Sequence, residues 1–369
     1  MRPFDGMSVL VIDPSPAVAM SGWLMGQMGA DVTIMEPRGG SVLRGAQPFV
    51  NERSALFAFL AANAQSALLP FEDESLDVTD VHVVLHGRDE LPRKWIEAIE
   101  GSPLPERGRV VVACTPYGAE GPRRGWQASE VVLFQAGGEG FLMPSGLAYE
   151  RFPERSPIGV GRYVAHYQGG LSAAISAVAG LRSSRRVGAA EWADVSIQDI
   201  EVSLNYFTVS RFVEGVREDR SNRAFKYGGV LECSDGYVEL VTLEQRQWEA
   251  MIEMLGRPSW SVDARFEDAV SRGQLGGEIN DHLRSWTADR TVGEVVELAA
   301  EHGVPCGAYL APQDLLGDVQ LAARGYFVDV DEEDFGGPVA PSAPWQLLGW
   351  SAREPRPAPG IPSDSRSSL

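Results

Sequence analysis

Only five histidines occur in these 369 residues, and one of them, His166, stands in "GRYVAHYQGGLSAA" (161–174), where a small-residue helix is predicted to begin. An imidazole, with an unperturbed pKa of about 6.5, works near neutral pH either as a base or as a nucleophile. A histidine at the first turn of a helix can equally be a packed residue without chemistry, and both readings stand at this stage. His82 and His86 suggest a metal pair by their spacing, but they fall on a predicted strand, whereas an i, i+4 pair converges on one site only on a helix. No metal is expected. Cys114, Cys233 and Cys306 are far apart and form no CxxC, so neither a disulfide framework nor a zinc site is supported and all three read as buried thiols.

Several signatures of nucleotide and hydrolase chemistry are missing. The first strand runs into "DPSPAVAMSG" instead of GxGxxG, which removes the close backbone approach to a pyrophosphate that the glycines permit. There is no GxxxxGK[ST], GxSxG or HExxH. A formal charge of −19 argues against a nucleic-acid partner and means that an anionic ligand would need local basic residues or helix N-termini. No apolar run approaches the roughly 20 residues of a bilayer span. Asp13 and Pro14 interrupt the N-terminal stretch before a signal-peptide core forms, so a cytoplasmic location is expected.

The elements that would carry these residues alternate. "MSVLVID" (7–13) and "ADVTIME" (30–36) read as strands around the helical "AVAMSGWLMGQMG", and "VHVVLHG" (81–87) and "RVVVACTPYG" (109–118) bracket the helical 92–100. That pattern predicts a parallel sheet with helices on its faces. From 169 to 181 small residues favour a closely packed helix, followed by a strand at 192–197 and a long amphipathic helix over 198–215. "GGVLECSDGYVELVT" (228–242) is a hairpin signal, with helices predicted near 244–255, 277–286 and 292–302, and the Pro- and Ser-rich tail from Ser351 reads as solvated.

Taken in order, "FDGMSVLVID", "GADVTIMEPRGG", "VVVACTPYGAEGP", "EVVLFQAGG" and "AEHGVPCGAYLAPQDLLGDVQLAARGYFVDV" resemble CoA-transferase family III, the CaiB/BaiF family, which includes the α-methylacyl-CoA racemases. The similarity spans roughly residues 4 to 348. It implies an α/β fold with a Rossmann-like large domain formed by 1–197 and 318–369, a smaller α+β domain at 225–302, linkers at 198–224 and 303–317, and two interlocked chains. It also implies coenzyme A, carried as an acyl-CoA substrate, and a carboxylic acid as reaction partner.

Family transferases pass the acyl group through covalent intermediates on one Asp ahead of a Gly- and Ala-rich helix; here "VGRYVAHYQGG" puts His166 at that position. The racemase branch pairs the Asp with a His one helix earlier, near Ser129 in this chain, so Glu130 and His166 become the candidate acid/base pair. The resemblance implies cofactor contacts at Ala17 and Val18 in the first strand-to-helix turn, at Arg38 and Arg44 in the loop after the second strand, at Arg88, and at Tyr117 and Gly118. Each arginine reads equally as a solvated surface charge. The basic Asn-Arg-Asn-Lys-Arg-Ser of relatives becomes "AANAQS" (61–66), which weakens steering of a polyanion, and "KYGG" (226–229) is a remnant of a glycine-containing loop. Three functions therefore stand: a transferase with a diverged site, a non-catalytic subunit paired with an Asp-containing paralogue, and an acyl-CoA racemase or isomerase. The assembly is expected to be a homodimer or a heteromer.

Overall fold

Strand β1 (Ser8–Ile12) is apolar on both faces and buries four of its five residues, as a strand covered on both sides must. In this computed structural model, residues 2–213, 215, 220, 227–330, 339–346, 349–350 and 353–362 are described. Parts of the linker expected at 198–224, Lys226 of "KYGG" and the end of the tail lie outside the described residues.

Five more parallel strands flank β1: β2 (Asp31–Glu36), β3 (Gln65–Leu68), β4 (Val81–His86), β5 (Val110–Thr115) and β6 (Glu191–Ser196). In these labels their order across the sheet is 3-2-1-4-5-6. Alternate side chains separate the two faces. Val9, Val11, Val83, Leu85, Val110 and Val112 pack with α1 (Pro16–Gln27) and α4 (Val164–Val187), whereas Leu10, Ile12, Val84 and Val111 pack with Trp95 and Ile99 of α2 (Arg93–Gly101). Arg109, fully buried ahead of β5, has no carboxylate partner among the described residues; its guanidinium donates to the carbonyls of Val78, Val81, Ile99 and Pro103, fastening the start of β4 and the end of α2.

The small residues of α4 set how closely it can lie. A Cβ on Gly170 would stand 2.6 Å from the Ala17 carbonyl oxygen, so α4 meets α1 almost backbone to backbone, and one on Gly180 would stand 2.4 Å from a Val110 methyl, which the glycine lets press against the α4 backbone. Ser21 fixes the contact by donating to the Gly170 carbonyl at 2.7 Å.

Two expectations for the next stretch need correction. The strand stops at Ser196 because its hydroxyl caps the Asp199 N–H, which makes Ile197 the first residue of α5 (Ile197–Leu204). The helix predicted over 198–215 breaks at Asn205, whose amide donates to the Gly137 carbonyl at 3.4 Å, and resumes as α6 (Tyr206–Phe212).

The chain divides into two units, one of 1–139, 159–206 and 318–369, the other of 140–158 and 207–317. In the second, β7 (Gly229–Glu232) and β8 (Tyr237–Leu240) form the hairpin read from Ser-Asp-Gly, closed by the Cys233 N–H on the Gly236 carbonyl at 2.8 Å. β9 (Cys306–Ala308) pairs with β8, and α7 (Gln245–Met254), α8 (Gly276–Ala288) and α9 (Val292–His302) close a core around Trp248, Phe266 and Leu283.

The tail is not simply solvated. Arg353 donates to the Ala30 carbonyl, Arg356 and Asn63 exchange two hydrogen bonds, and Arg44 reaches the carbonyls of Pro359 and Gly360. Proline-rich chain has few donors of its own, but its carbonyls remain good acceptors for arginines of the folded body. Among the described residues, no helix is long and apolar enough to cross a membrane.

Candidate active site

α4 begins without help from its own sequence: Tyr163, at the cap position, makes no side-chain capping bond. The N–H groups of a first helical turn need acceptors. They find one across the fold in Glu130, the first residue of α3 (Glu130–Ala136), whose Oε1 accepts from the Ala165 N–H at 2.8 Å and whose Oε2 accepts from the His166 N–H at 3.2 Å. The same Oε2 lies 2.7 Å from His166 Nδ1, with both side chains about nine-tenths buried.

Burial alone would raise the Glu130 carboxyl. The imidazole and the two backbone N–H groups outweigh that and hold it below its ordinary range. Glu130 is therefore an anion and an acceptor. An ionised carboxylate can only accept, so His166 Nδ1 is the donor in this contact and Nε2 is the ring nitrogen that Glu130 does not engage. Glu130 and His166, the expected acid/base pair, thus stand in one hydrogen-bonded contact. Tyr163 stands edge-on to the imidazole at 5.9 Å, and burial pushes the neighbouring Tyr167 hydroxyl up to about 12, which keeps it a neutral phenol.

Arg38, Arg44, Arg88, Tyr117 and Gly118 follow strands β2, β4 and β5 at the C-terminal edge of the parallel sheet, where folds with this strand order place their ligand crevice. Arg88, after β4, approaches Asp13, after β1, at 3.6 Å, and pairs with Glu72 at 2.9 Å, so these two turns meet where the strand order reverses. Arg44 is engaged throughout: it forks onto Glu36 at 2.7 Å and lies 4.0 Å over the Phe57 ring. Burial would raise Glu36, but hydrogen bonds from Arg44, Ser66 and the Ser41 N–H keep it ionised, and the resulting pair ties β2 to its loop. Arg38 lies 5.5 Å over the Phe71 ring. Ala17 and Val18, expected in the turn, lie instead in the first turn of α1 and are fully buried; the Val18 N–H is capped by Ser15 Oγ at 3.3 Å. Tyr117 packs edge-on against Trp126 beneath Arg123, and Gly118, at φ +86°, donates its N–H to Thr115 Oγ1.

The histidines on β4 do not form a pair of ligands. His82 Nδ1 accepts from the Ser8 N–H, and His86 is pushed down to about 4 by burial, with no partner for its Nδ1 among the described residues. No group of three metal-ligating side chains occurs among the described residues. Burial pushes the Cys114 thiol up to about 12 and Cys306 up to about 11, which removes both as nucleophiles.

One acid escaped the sequence reading. Glu201 on α5 is 1% exposed, and its carboxyl is raised to about 7 by burial and by the charges of Glu130 and Glu139. Its signal was positional, four residues after the buried Ile197 and hence on the inward face of the helix.

The sequence model of CoA-transferase family III matches residues 108–365. The chain is 28% identical over 323 residues to a probable CoA-transferase, Rv1866, of Mycobacterium tuberculosis, covering 84% of this chain and 40% of that protein. It therefore spans well under half the length of that relative. It is 23% identical to the succinyl-CoA–D-citramalate CoA-transferase of Chloroflexus aurantiacus, covering 91% of this chain and 85% of that one. The formyl-CoA:oxalate CoA-transferase of Bradyrhizobium diazoefficiens is also 23% identical, with 88% and 83% covered. In structure the chain is similar to a CAIB/BAIF family protein from Brucella suis, with TM-score 0.80, 20% identity and 98% and 96% of the two chains covered. A hypothetical protein, Rv3272, from Mycobacterium tuberculosis gives TM-score 0.81 at 20% identity, with 98% and 97% covered. These last two likenesses speak to the fold.

Proposed function

Because the chain belongs to CoA-transferase family III, we propose that it moves coenzyme A between an acyl-CoA thioester and a carboxylic acid, with His166 standing where relatives attack through Asp. One observation carries this reading: the 2.7 Å bond between His166 Nδ1 and Glu130, which holds the ring by that nitrogen and leaves Nε2 as the one Glu130 does not engage. Nε2 adds to the thioester carbonyl and expels CoA thiolate, giving an acyl-imidazolium whose charge Glu130 balances. The acceptor carboxylate attacks that acyl group, restoring the imidazole and forming a mixed anhydride. CoA thiolate then attacks the acceptor's carbonyl, yielding the new thioester and the free first acid. Arg38, Arg88, Tyr117 and Gly118 form the cofactor side of the crevice.

The active form in this reading is an interlocked dimer with linkers at 198–224 and 303–317. Leu171, Ile175 and Val178, exposed along one face of α4, support it, because such a stripe needs a cover. The test is transfer of CoA from a panel of acyl-CoA thioesters to a panel of carboxylates, repeated with His166→Ala. Turnover that depends on His166 is the expected result, and equal turnover by the variant removes it from the chemistry.

A second reading, a non-catalytic subunit paired with an Asp-containing paralogue, is favoured by one feature. Arg44 is committed to Glu36, and Arg88 to Asp13 and Glu72, so two cations of the crevice are already neutralised. CoA retained by the purified chain alone decides against it.

A further inference from the structure

α3, which carries Glu130, is too short to hold its own place. A helix of 7 residues is marginal in isolation, Ser129 gives this one no side-chain cap, and it buries Leu133 and Phe134 alone. Its position is set at its two ends. At the first, Glu130 reaches the N–H groups of α4 and the His166 ring. At the last stand carbonyls that a helix leaves without intrahelical donors, and two amides of α5 meet them. Gln198 Nε2 donates to the Ala136 carbonyl at 3.1 Å and Asn205 Nδ2 to the Gly137 carbonyl at 3.4 Å. A Cβ on Gly137 would lie 2.2 Å from Glu201 Cβ, so nothing larger than glycine fits between α3 and α5 there.

Gln198 also makes a contact through its backbone. Its N–H donates to the Pro116 carbonyl at 3.1 Å, in the loop after β5 that continues into Tyr117 and Gly118. β6 holds the same loop from the side: Asp194 Oδ2 accepts from the Ala119 N–H at 2.9 Å and would lie 3.3 Å from a Cβ on Gly118. Between these contacts Ile197 lies against α4, where a Cβ on Gly169, one turn beyond His166, would stand 2.8 Å from Ile197 Cγ1. The junction of β6 and α5 therefore touches the loop, α3 and α4 within the span Asp194–Gln198.

We propose that Gln198 is a positioning residue for the Glu130–His166 contact: its side chain fixes α3, and Glu130 with it, relative to the Tyr117 loop that its backbone holds. The inference rests on the reading of that loop and His166 as two sides of one transferase site. Because the two contacts come from different parts of one residue, substitution takes them apart. Changing the side chain releases the end of α3 and leaves the N–H on Pro116, so the reacting group shifts while the cofactor side stays. A misplacement of about 1 Å costs on the order of 100-fold in rate.

The test uses full-length Gln198→Met, which keeps the reach of the side chain without its donor. Two quantities are read: the ring N–H resonance of His166 in isotope-labelled protein, assigned by its loss in His166→Ala, and kcat and KM for an acyl-CoA. Gln198→Met is expected to shift the resonance and to lower kcat about 10- to 100-fold with KM changed by less than about twofold. Gln198→Glu, whose ionised carboxyl accepts and cannot donate, gives the same result and stands in for a Met variant that does not fold. A resonance that stays in place in the variants overturns the proposal, and so does a KM that rises in step with the fall in kcat. If wild type turns over no acyl-CoA, the transferase reading fails and the resonance alone decides whether Gln198 positions Glu130.

Discussion

Glu130 and His166 lie 36 residues apart in sequence, yet one carboxylate oxygen accepts both the backbone N–H and the ring N–H of His166. The carboxylate therefore caps the helix and orients the imidazole in a single contact. Losing it disturbs the site twice, by freeing two N–H groups of the first turn and by releasing the imidazole to choose its tautomer.

Glu130→Gln keeps the shape and removes the charge. Turnover is expected to fall about 100- to 10,000-fold with KM little changed, because the amide cannot fix the Nδ1–H tautomer or balance an acyl-imidazolium. The contribution to stability has a definite sign. The folded Glu130 carboxyl lies below its ordinary 4.5, so its stabilisation is present above that pH and is lost as pH falls through the lowered value. Acid unfolding curves of wild type and variant should converge at low pH.

Glu201 has the opposite sign. Its folded value of about 7 exceeds its ordinary 4.5, so its stabilisation is complete below 4.5 and is lost as pH rises to about 7. Glu201→Gln should gain stability relative to wild type as pH is raised through that window, by an amount on the order of 3 kcal/mol at pH 8. Denaturant midpoints across that range check the direction; a constant difference at all pH values contradicts it.

Arg38 and Arg44 should separate binding from folding. Arg44→Ala leaves Glu36 buried without its counter-ion and should cost about 3–5 kcal/mol, read as a lower denaturant midpoint. Arg38→Ala should leave the midpoint within about 0.5 kcal/mol and weaken CoA binding several-fold by calorimetry. Equal effects on stability would contradict this division.

Much of the sheet is legible because its strands are buried on both faces and bounded by turn residues, so "SVLVI" and "VVVACT" announce themselves. His166 is legible too, since glycines 169 and 170 mark the start of a helix that must pack closely. What is not legible depends on contacts between distant segments. Nothing in "EVVLFQAGG" says that its first residue will cap a helix 35 positions later. Nothing in "MEPRGG" says that Arg44 will be consumed by Glu36 and by tail carbonyls at Pro359 and Gly360. The break at Asn205 is hidden for the same reason, because the amphipathic pattern of 198–215 continues across it while the hydrogen bond to Gly137 comes from another helix.

The most direct measurement is to incubate the protein with an acyl-CoA in the absence of acceptor acid, quench it, and weigh the intact chain and its peptides. The account predicts an added acyl mass on the peptide that contains His166, discharged by a carboxylate acceptor and absent from His166→Ala. An acyl adduct on another residue, or full transfer activity in His166→Ala, would contradict it.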